Sequence, residues 1–127
     1  AMASLESRRA VATVQWTDNR GVQSGAWVDG NGDALPGVGW SAFIELRQGP
    51  GPGWAAFARH DWYDRDTAHA GGRSTRTIAG VARHLRGGSA VLLDYETLQP
   101  EEAGRPSTNR VQLTAQLRLA PVPVLRH

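Results

Sequence analysis

Apolar and polar residues alternate along most of this chain. In the run over positions 9–18, Ala12, Val14 and Trp16 stand at every second position, with polar residues between them. Successive side chains of a β-strand point to opposite faces, so this spacing predicts a strand with one apolar face. By the same criterion we predict strands over residues 9–18, 22–29, 38–48, 54–63, 90–98 and 111–119.

The apolar side of each predicted strand is expected to point into a hydrophobic core. Trp16 and Trp40 alternate with apolar neighbours and are assigned to that core. Val111, Leu113 and Leu117 belong to the most regular alternation in the chain and are assigned to it as well. A buried charge without a partner is costly, so the substitution Leu117→Asp is expected to unfold the domain.

The spacing of apolar residues changes in the middle of the chain. Ile78, Val81, Ala82 and Leu85 follow the i, i+3, i+4, i+7 pattern of an amphipathic helix. This pattern predicts one helix around residues 75–86. Two glycines directly after it supply the left-handed conformation at which helices commonly end.

Six strands and one helix predict a mainly β fold of the α+β type. We expect about six antiparallel strands in a bent sheet or a small barrel, with the helix at one end or on one face. The sequence does not distinguish the open sheet from the barrel. A length of 127 residues fits a single β-rich domain spanning residues 1–127, large enough to bury a core without a disulfide or metal.

The composition limits the chemistry available to the chain. Cysteine is absent, which excludes disulfides, a thiol nucleophile and a cysteine-ligated zinc site. All fourteen basic residues are arginine, and the net charge of +2 is too small to favour nucleic acid. Abundant Arg, Ala and Gly suggest a GC-rich, bacterial coding sequence. No apolar window reaches the length of a membrane-spanning helix, so we expect a cytoplasmic protein with no membrane contact.

Polar chemistry is densest around His60, Asp61 and Tyr63. A histidine and a carboxylate at a strand end can act as a general base and its orienting group, so these three residues are the best candidates for catalysis. Alternation places Asp61 and Tyr63 on one face and His60 on the other. The spacing matches no catalytic or metal motif, and the alternative is an exposed strand end whose charges pair locally.

A second candidate site precedes the predicted helix. Arg73, Ser74, Thr75 and Arg76 would surround the helix start, where backbone N–H groups and guanidinium groups favour an anion. The alternative is a glycine-rich connection to a capped helix.

An acidic loop at Asp29, Asn31 and Asp33 resembles the opening of a calcium loop. Ala34 and Trp40 occupy the positions where such a loop needs Gly and Glu, so hairpin turn chemistry explains it better. The sequence predicts neither a metal site nor a cofactor.

The five tryptophans give the strongest remaining signal. Trp27, Trp54 and Trp62 are candidates for ligand binding, because aromatic rings line cavities and stack on sugars and bases. The alternative is a mostly structural role for the tryptophans, because large aromatic side chains dominate core energetics.

Three functions are compatible with these observations. The first is a non-catalytic binding or assembly module that recognises a protein or other macromolecule through a surface bearing Arg and Trp, the residues enriched at interface hot spots. The second is a small β-barrel enzyme or small-molecule binder, with a Trp-lined cavity and His60, Asp61 or Tyr63 at its mouth. The third is single-stranded nucleic-acid binding, which the twelve acidic residues disfavour. A protein partner, a homo-oligomer and a small ligand all remain open.

Overall fold

Seven antiparallel strands form one sheet in which the spatial order follows the chain order. The structure is a computed structural model that describes residues 1–20, 28–101 and 104–118. A single 3₁₀ turn, Arg86–Gly88, connects the fifth and sixth strands. The strands are β1 Met2–Glu6, β2 Ala10–Arg20, β3 Pro36–Arg47, β4 Gly53–Asp64, β5 Arg73–His84, β6 Ala90–Pro100 and β7 Thr108–Gln116.

The mainly β, antiparallel architecture predicted from the alternation is confirmed. The sheet is open: among the described residues, β1 pairs only with β2 and β7 only with β6. Most of the strand predicted over 22–29 lies outside the described residues, and so do Trp27 and Leu119.

The helix predicted around residues 75–86 is wrong, because this segment is strand β5. It pairs with β4 on one side and with β6 on the other. Thr75, Thr77, Ile78 and Val81 are β-branched and fit a pleated sheet better than a helix. The helix-like spacing arose by coincidence, since Ile78 and Val81 point to opposite faces of the strand.

The buried core predicted from the alternation is also wrong. Only three apolar residues of the described chain are buried, and all three are alanines: Ala55, Ala82 and Ala90. Leu117, assigned to the core, is 73 % exposed and lies beyond the end of β7. A single-layer sheet has no second layer to cover its apolar side, so alternation alone did not produce burial. The unfolding expected for Leu117→Asp therefore has no structural basis.

The other residues assigned to the core are largely exposed as well. Val111 and Leu113 are 71 % and 73 % exposed, and Trp16 is 49 % exposed. Trp40 is partly buried against His60, with ring centroids 5.2 Å apart.

Tyr63 packs across strand β3 at two glycines. A Cβ atom on Gly39 would lie 2.5 Å from the Tyr63 ring, and one on Gly37 would lie 2.5 Å from its hydroxyl oxygen. The hydroxyl group donates a hydrogen bond to Asn19 Oδ1 on β2, at 3.0 Å. Tyr63 thus links three strands, and the two glycines are required by its close approach.

Gly39→Ala is expected to destabilise the sheet by about 1–3 kcal/mol, because its methyl group would displace the Tyr63 ring or the strand beneath it. Gly30→Ala is the matched control, since nothing lies within 4 Å of a Cβ atom there. Urea unfolding followed by circular dichroism measures both variants. Equal unfolding midpoints for the two would contradict the packing of Tyr63 on Gly39.

Candidate functional site

One side of the sheet, which we call the apolar face, carries most of the large apolar side chains. Register places Val14 beside Ala42 and Trp16 beside Trp40, and alternation extends this side through all seven strands. Its large side chains are between 38 % and 76 % exposed: Leu5, Val14, Trp16, Ile44, Leu46, Trp54, Val81, Val91, Leu93, Tyr95, Val111 and Leu113.

The apolar face is uncharged over a wide band. Trp54 and Trp62 stand on this face eight positions apart on β4, roughly 27 Å along the strand. Between the register rows through these two residues, no position of the apolar face carries Asp, Glu or Arg. Exposed apolar surfaces of this size are typical of interaction sites.

Tryptophans mark both ends of this uncharged band. Trp16, Trp40 and Trp62 are in register on β2, β3 and β4 and form a row at one end. At the other end, the guanidinium group of Arg83 lies 5.3 Å from the Trp54 ring centroid. Charged side chains occur on this face beyond the tryptophan row, where Asp18, Asp64 and Arg73 lie.

The first apolar position differs between the two halves of the sheet. On β2 to β4 it lies in the register row of Trp16, Trp40 and Trp62, whereas on β5 to β7 it lies in the row of Ala79, Tyr95 and Val111. The second row is two same-side positions further along the strands, or roughly 14 Å. The positions between the two rows on β5 to β7 are polar, and His60 Nδ1 on β4 lies 2.9 Å from Thr77 Oγ1 there.

The opposite side, the polar face, is less exposed although it bears the charges. Of its residues on β3 to β6, all but Arg59 and Leu98 are buried or partly buried. No layer of described residues covers either face, and we infer from the difference in exposure that the sheet curves toward the polar face. The polar face is the concave side, where side chains crowd together. Small residues there reduce the crowding: Gly37, Gly39, Ala55, Gly80, Ala82 and Ala90.

An ion-pair network crosses three strands of the polar face. The Glu96 carboxylate on β6 accepts hydrogen bonds from Arg76 Nη2 on β5 at 2.7 Å and Arg110 Nη2 on β7 at 2.9 Å. The bond from Arg76, supported by Arg110, lowers the pKa of Glu96, and the same bond raises the pKa of Arg76. The Nε atom of Arg76 is buried without a hydrogen-bond partner. Glu96 therefore ties β5 and β7 to β6 through charged groups.

A second charged cluster lies at the other end of the polar face. The Glu45 carboxylate accepts a hydrogen bond from Arg47 Nε, which raises the pKa of Arg47. His84 Nε2 lies 3.4 Å from Glu45 Oε1, and Arg47 Nη1 lies 3.7 Å from Glu6 Oε1. This cluster links β1, β3 and β5 on the side that is crowded.

The three candidate catalytic residues do not form one site. The structure places His60 on the apolar face and Asp61 and Tyr63 on the polar face, as the alternation predicts. Asp61 is paired with Arg59, whose Nε lies 2.8 Å from Asp61 Oδ1. His60 therefore has no carboxylate from this cluster to orient it as a base.

The proposed anion-binding residues are separated by the strand that replaces the helix. Arg73 and Thr75 lie on the apolar face, and Ser74 and Arg76 lie on the polar face. Arg73 Nε is 3.3 Å from Asp64 Oδ2. Without a helix start, the backbone N–H groups that the anion hypothesis needed are bonded within the sheet.

The tryptophans proposed as ligand contacts lie far apart. Trp54 and Trp62 occupy opposite ends of β4, so they cannot line one cavity. Trp54 is 56 % exposed on the apolar face. Trp62 lies at one end of the uncharged band and Trp54 lies at the other.

The acidic loop that contains Asp29, Asn31 and Asp33 is a hydrogen-bonded turn. Asp29 Oδ1 accepts hydrogen bonds from the backbone N–H groups of Asn31 and Asp33, both at 2.8 Å. These bonds lower the pKa of Asp29. The hairpin interpretation of this loop is consistent with this geometry.

An arginine-lined depression at one end of the sheet was not predicted from the sequence. It has a volume of about 750 Å³ and lies where the β3–β4 and β5–β6 connections meet. Arg47, Arg86 and Arg118 line it. These residues are far apart in the chain, so no local pattern could have identified them.

The uncharged apolar face was missed for a different reason. The alternation identified which residues share a side but assigned that side to a core. The spacing of residues does not indicate whether a whole face of a sheet is exposed, because that exposure depends on what packs against the sheet.

Comparison of the chain with protein-family models, with curated proteins and with solved structures finds no match. The described residues contain no helix with the length and apolar character needed to cross a membrane.

Glu96→Gln is expected to remove a pH-dependent part of the stability. The pKa of Glu96 is lowered in the folded chain, so its ionised form stabilises the fold fully above the ordinary carboxyl pKa. That contribution is lost as the pH falls through the lowered folded-state pKa. Thermal melts between about pH 7 and about pH 3 should show a smaller acid-induced fall in Tm for E96Q than for the parent.

Asp18→Asn serves as the control for this experiment, since Asp18 is an exposed carboxylate on β2 that lies outside both charged clusters. An E96Q variant whose Tm falls with acid as steeply as that of the parent would show that the network does not stabilise the fold.

Proposed function

We propose that this chain is a non-catalytic assembly module that buries its apolar face against a non-polar partner. The observation that carries this proposal is the uncharged band between the two ends marked by tryptophans. A chain whose largest apolar side chains stand between 38 % and 76 % exposed gains stability when a partner removes them from water.

The composition of the surface also supports binding. Trp16, Trp54 and Arg83 are exposed side chains of the types enriched at interface hot spots. The Arg83 guanidinium group already lies against the Trp54 ring, so this end of the face is ordered before a partner binds.

Catalysis has weaker support from the geometry. His60 and Asp61 point to opposite sides of the sheet, and Asp61 is paired with Arg59. Nucleic-acid binding has weaker support as well, because Arg76 and Arg110 on the polar face are paired with Glu96. His60 and Asp61 therefore do not face one substrate, and the charges of Arg76 and Arg110 are already compensated by Glu96.

A pair of adjacent substitutions on β7 tests the proposal. Leu113→Asp places a carboxylate on the apolar face, whereas Gln112→Asp places the same group on the polar face. Both parent side chains are exposed, so neither change is expected to unfold the sheet. The parent should self-associate or enhance the fluorescence of anilinonaphthalene sulfonate, and L113D should reduce that behaviour severalfold while Q112D preserves it.

Sedimentation velocity and dye fluorescence measure this difference, with far-UV circular dichroism to verify the β content of each variant. A parent that stays monomeric without binding the dye would overturn the proposal. Equal effects of L113D and Q112D would overturn it too.

A further inference from the structure

We infer that the partner of the apolar face is the hydrocarbon of a lipid bilayer, contacted by the strands themselves. This inference rests on the proposed function, since it names what covers that face. It replaces the expectation from sequence of a cytoplasmic protein with no membrane contact. Three features of the sheet favour lipid over a second protein surface.

The first feature is the curvature of the sheet. The apolar face is the convex side, because the polar face is the crowded one and holds the small residues Gly39, Gly80 and Ala82. Two convex faces touch over a narrow strip, so a second copy of this chain would cover only part of the band. Fluid acyl chains conform to a convex surface and cover all of it.

The second feature is the inverted polarity of the two faces. Charged residues such as Glu45, Arg76 and Glu96 lie on the less exposed concave side, where they pair with one another. In a sheet that spans a bilayer, the lipid-facing side is apolar and the enclosed side is polar.

The third feature is the size of the band and the residues at its ends. Roughly 27 Å of strand separates Trp54 from Trp62, and a tilted strand of about 9–11 residues crosses the hydrocarbon core of a bilayer. Trp and Tyr concentrate at both membrane–water interfaces, where their amphipathic rings meet the headgroups. The row of Trp16, Trp40 and Trp62 at one end, with Trp54 at the other, matches that distribution.

The edges of the sheet set a condition on this arrangement. The outer backbone groups of β1 and β7 have no strand partner among the described residues, and such groups are costly in hydrocarbon. Further strands must pair with both edges in the bilayer. The described residues contain no further strand to do so, and in a preparation of this chain alone we expect other copies to supply them, so insertion should be accompanied by assembly.

Labelling of two adjacent positions on β6 tests the inference. Leu93 lies on the apolar face inside the band, and Asp94 lies on the polar face. The chain has no cysteine, so L93C and D94C each give a single site for a fluorescent label. The labelled chains are refolded with phosphatidylcholine vesicles whose acyl chains carry bromine near the headgroup or near the bilayer centre.

Bromine near the bilayer centre should quench the label at position 93 severalfold more than the label at position 94. In the unlabelled parent, tryptophan fluorescence should be quenched more by bromine near the headgroups than by bromine near the centre. This second measurement uses the native chain and does not depend on either substitution.

Each outcome decides between the two proposals. A chain that fails to float with the vesicles, or equal quenching at positions 93 and 94, overturns the lipid inference. If the same preparation shows the apolar-face label protected in a lipid-free dimer, the assembly function stands with a second copy as partner. If position 93 is accessible to water in every preparation, both proposals fail.

Discussion

A single-layer sheet cannot bury its own apolar side, and this constraint governs the rest of the structure. Seven strands pair only with their neighbours in the chain, and the buried apolar residues of the described chain are three alanines. Backbone hydrogen bonds and cross-strand contacts define the sheet, but hydrophobic burial normally supplies the dominant favourable term in folding. Covering the apolar face would therefore add the hydrophobic term that the described residues do not supply by themselves.

The polar face shows how the sheet is held together without that cover. Glu96 connects β5, β6 and β7 through Arg76 and Arg110, and Tyr63 reaches over Gly39 toward Asn19 on β2. These contacts join strands across the concave side, where side chains are close enough to pair. They fix curvature and register rather than forming an apolar core.

Curvature, polarity and the position of the tryptophans are consistent with one another. Most of the large apolar residues occupy the convex side, and aromatic rings lie where the uncharged band ends. The concave side holds small residues and paired charges, together with Phe43, Phe57, Ile78 and Leu92. The proposed assembly through the apolar face would account for the exposure of that side, and the proposed contact with lipid hydrocarbon would account for the width of the band as well.

The sequence by itself determined strands β2, β3, β4, β6 and β7, the antiparallel architecture and which residues of these strands share a side, because a period of two is a local property of the backbone. It contained no prediction for β1. It placed Asp61 and Tyr63 opposite His60 correctly on that basis. It mistook β5 for a helix, since Ile78, Val81, Ala82 and Leu85 fit the helical spacing. Only the pairing with β4 and β6 identifies the segment as a strand. Only the tertiary structure decided that the Leu113 side chain is exposed to solvent. Its exposure depends on whether another layer packs on the apolar face, and the spacing of residues along the chain does not encode the presence of such a layer.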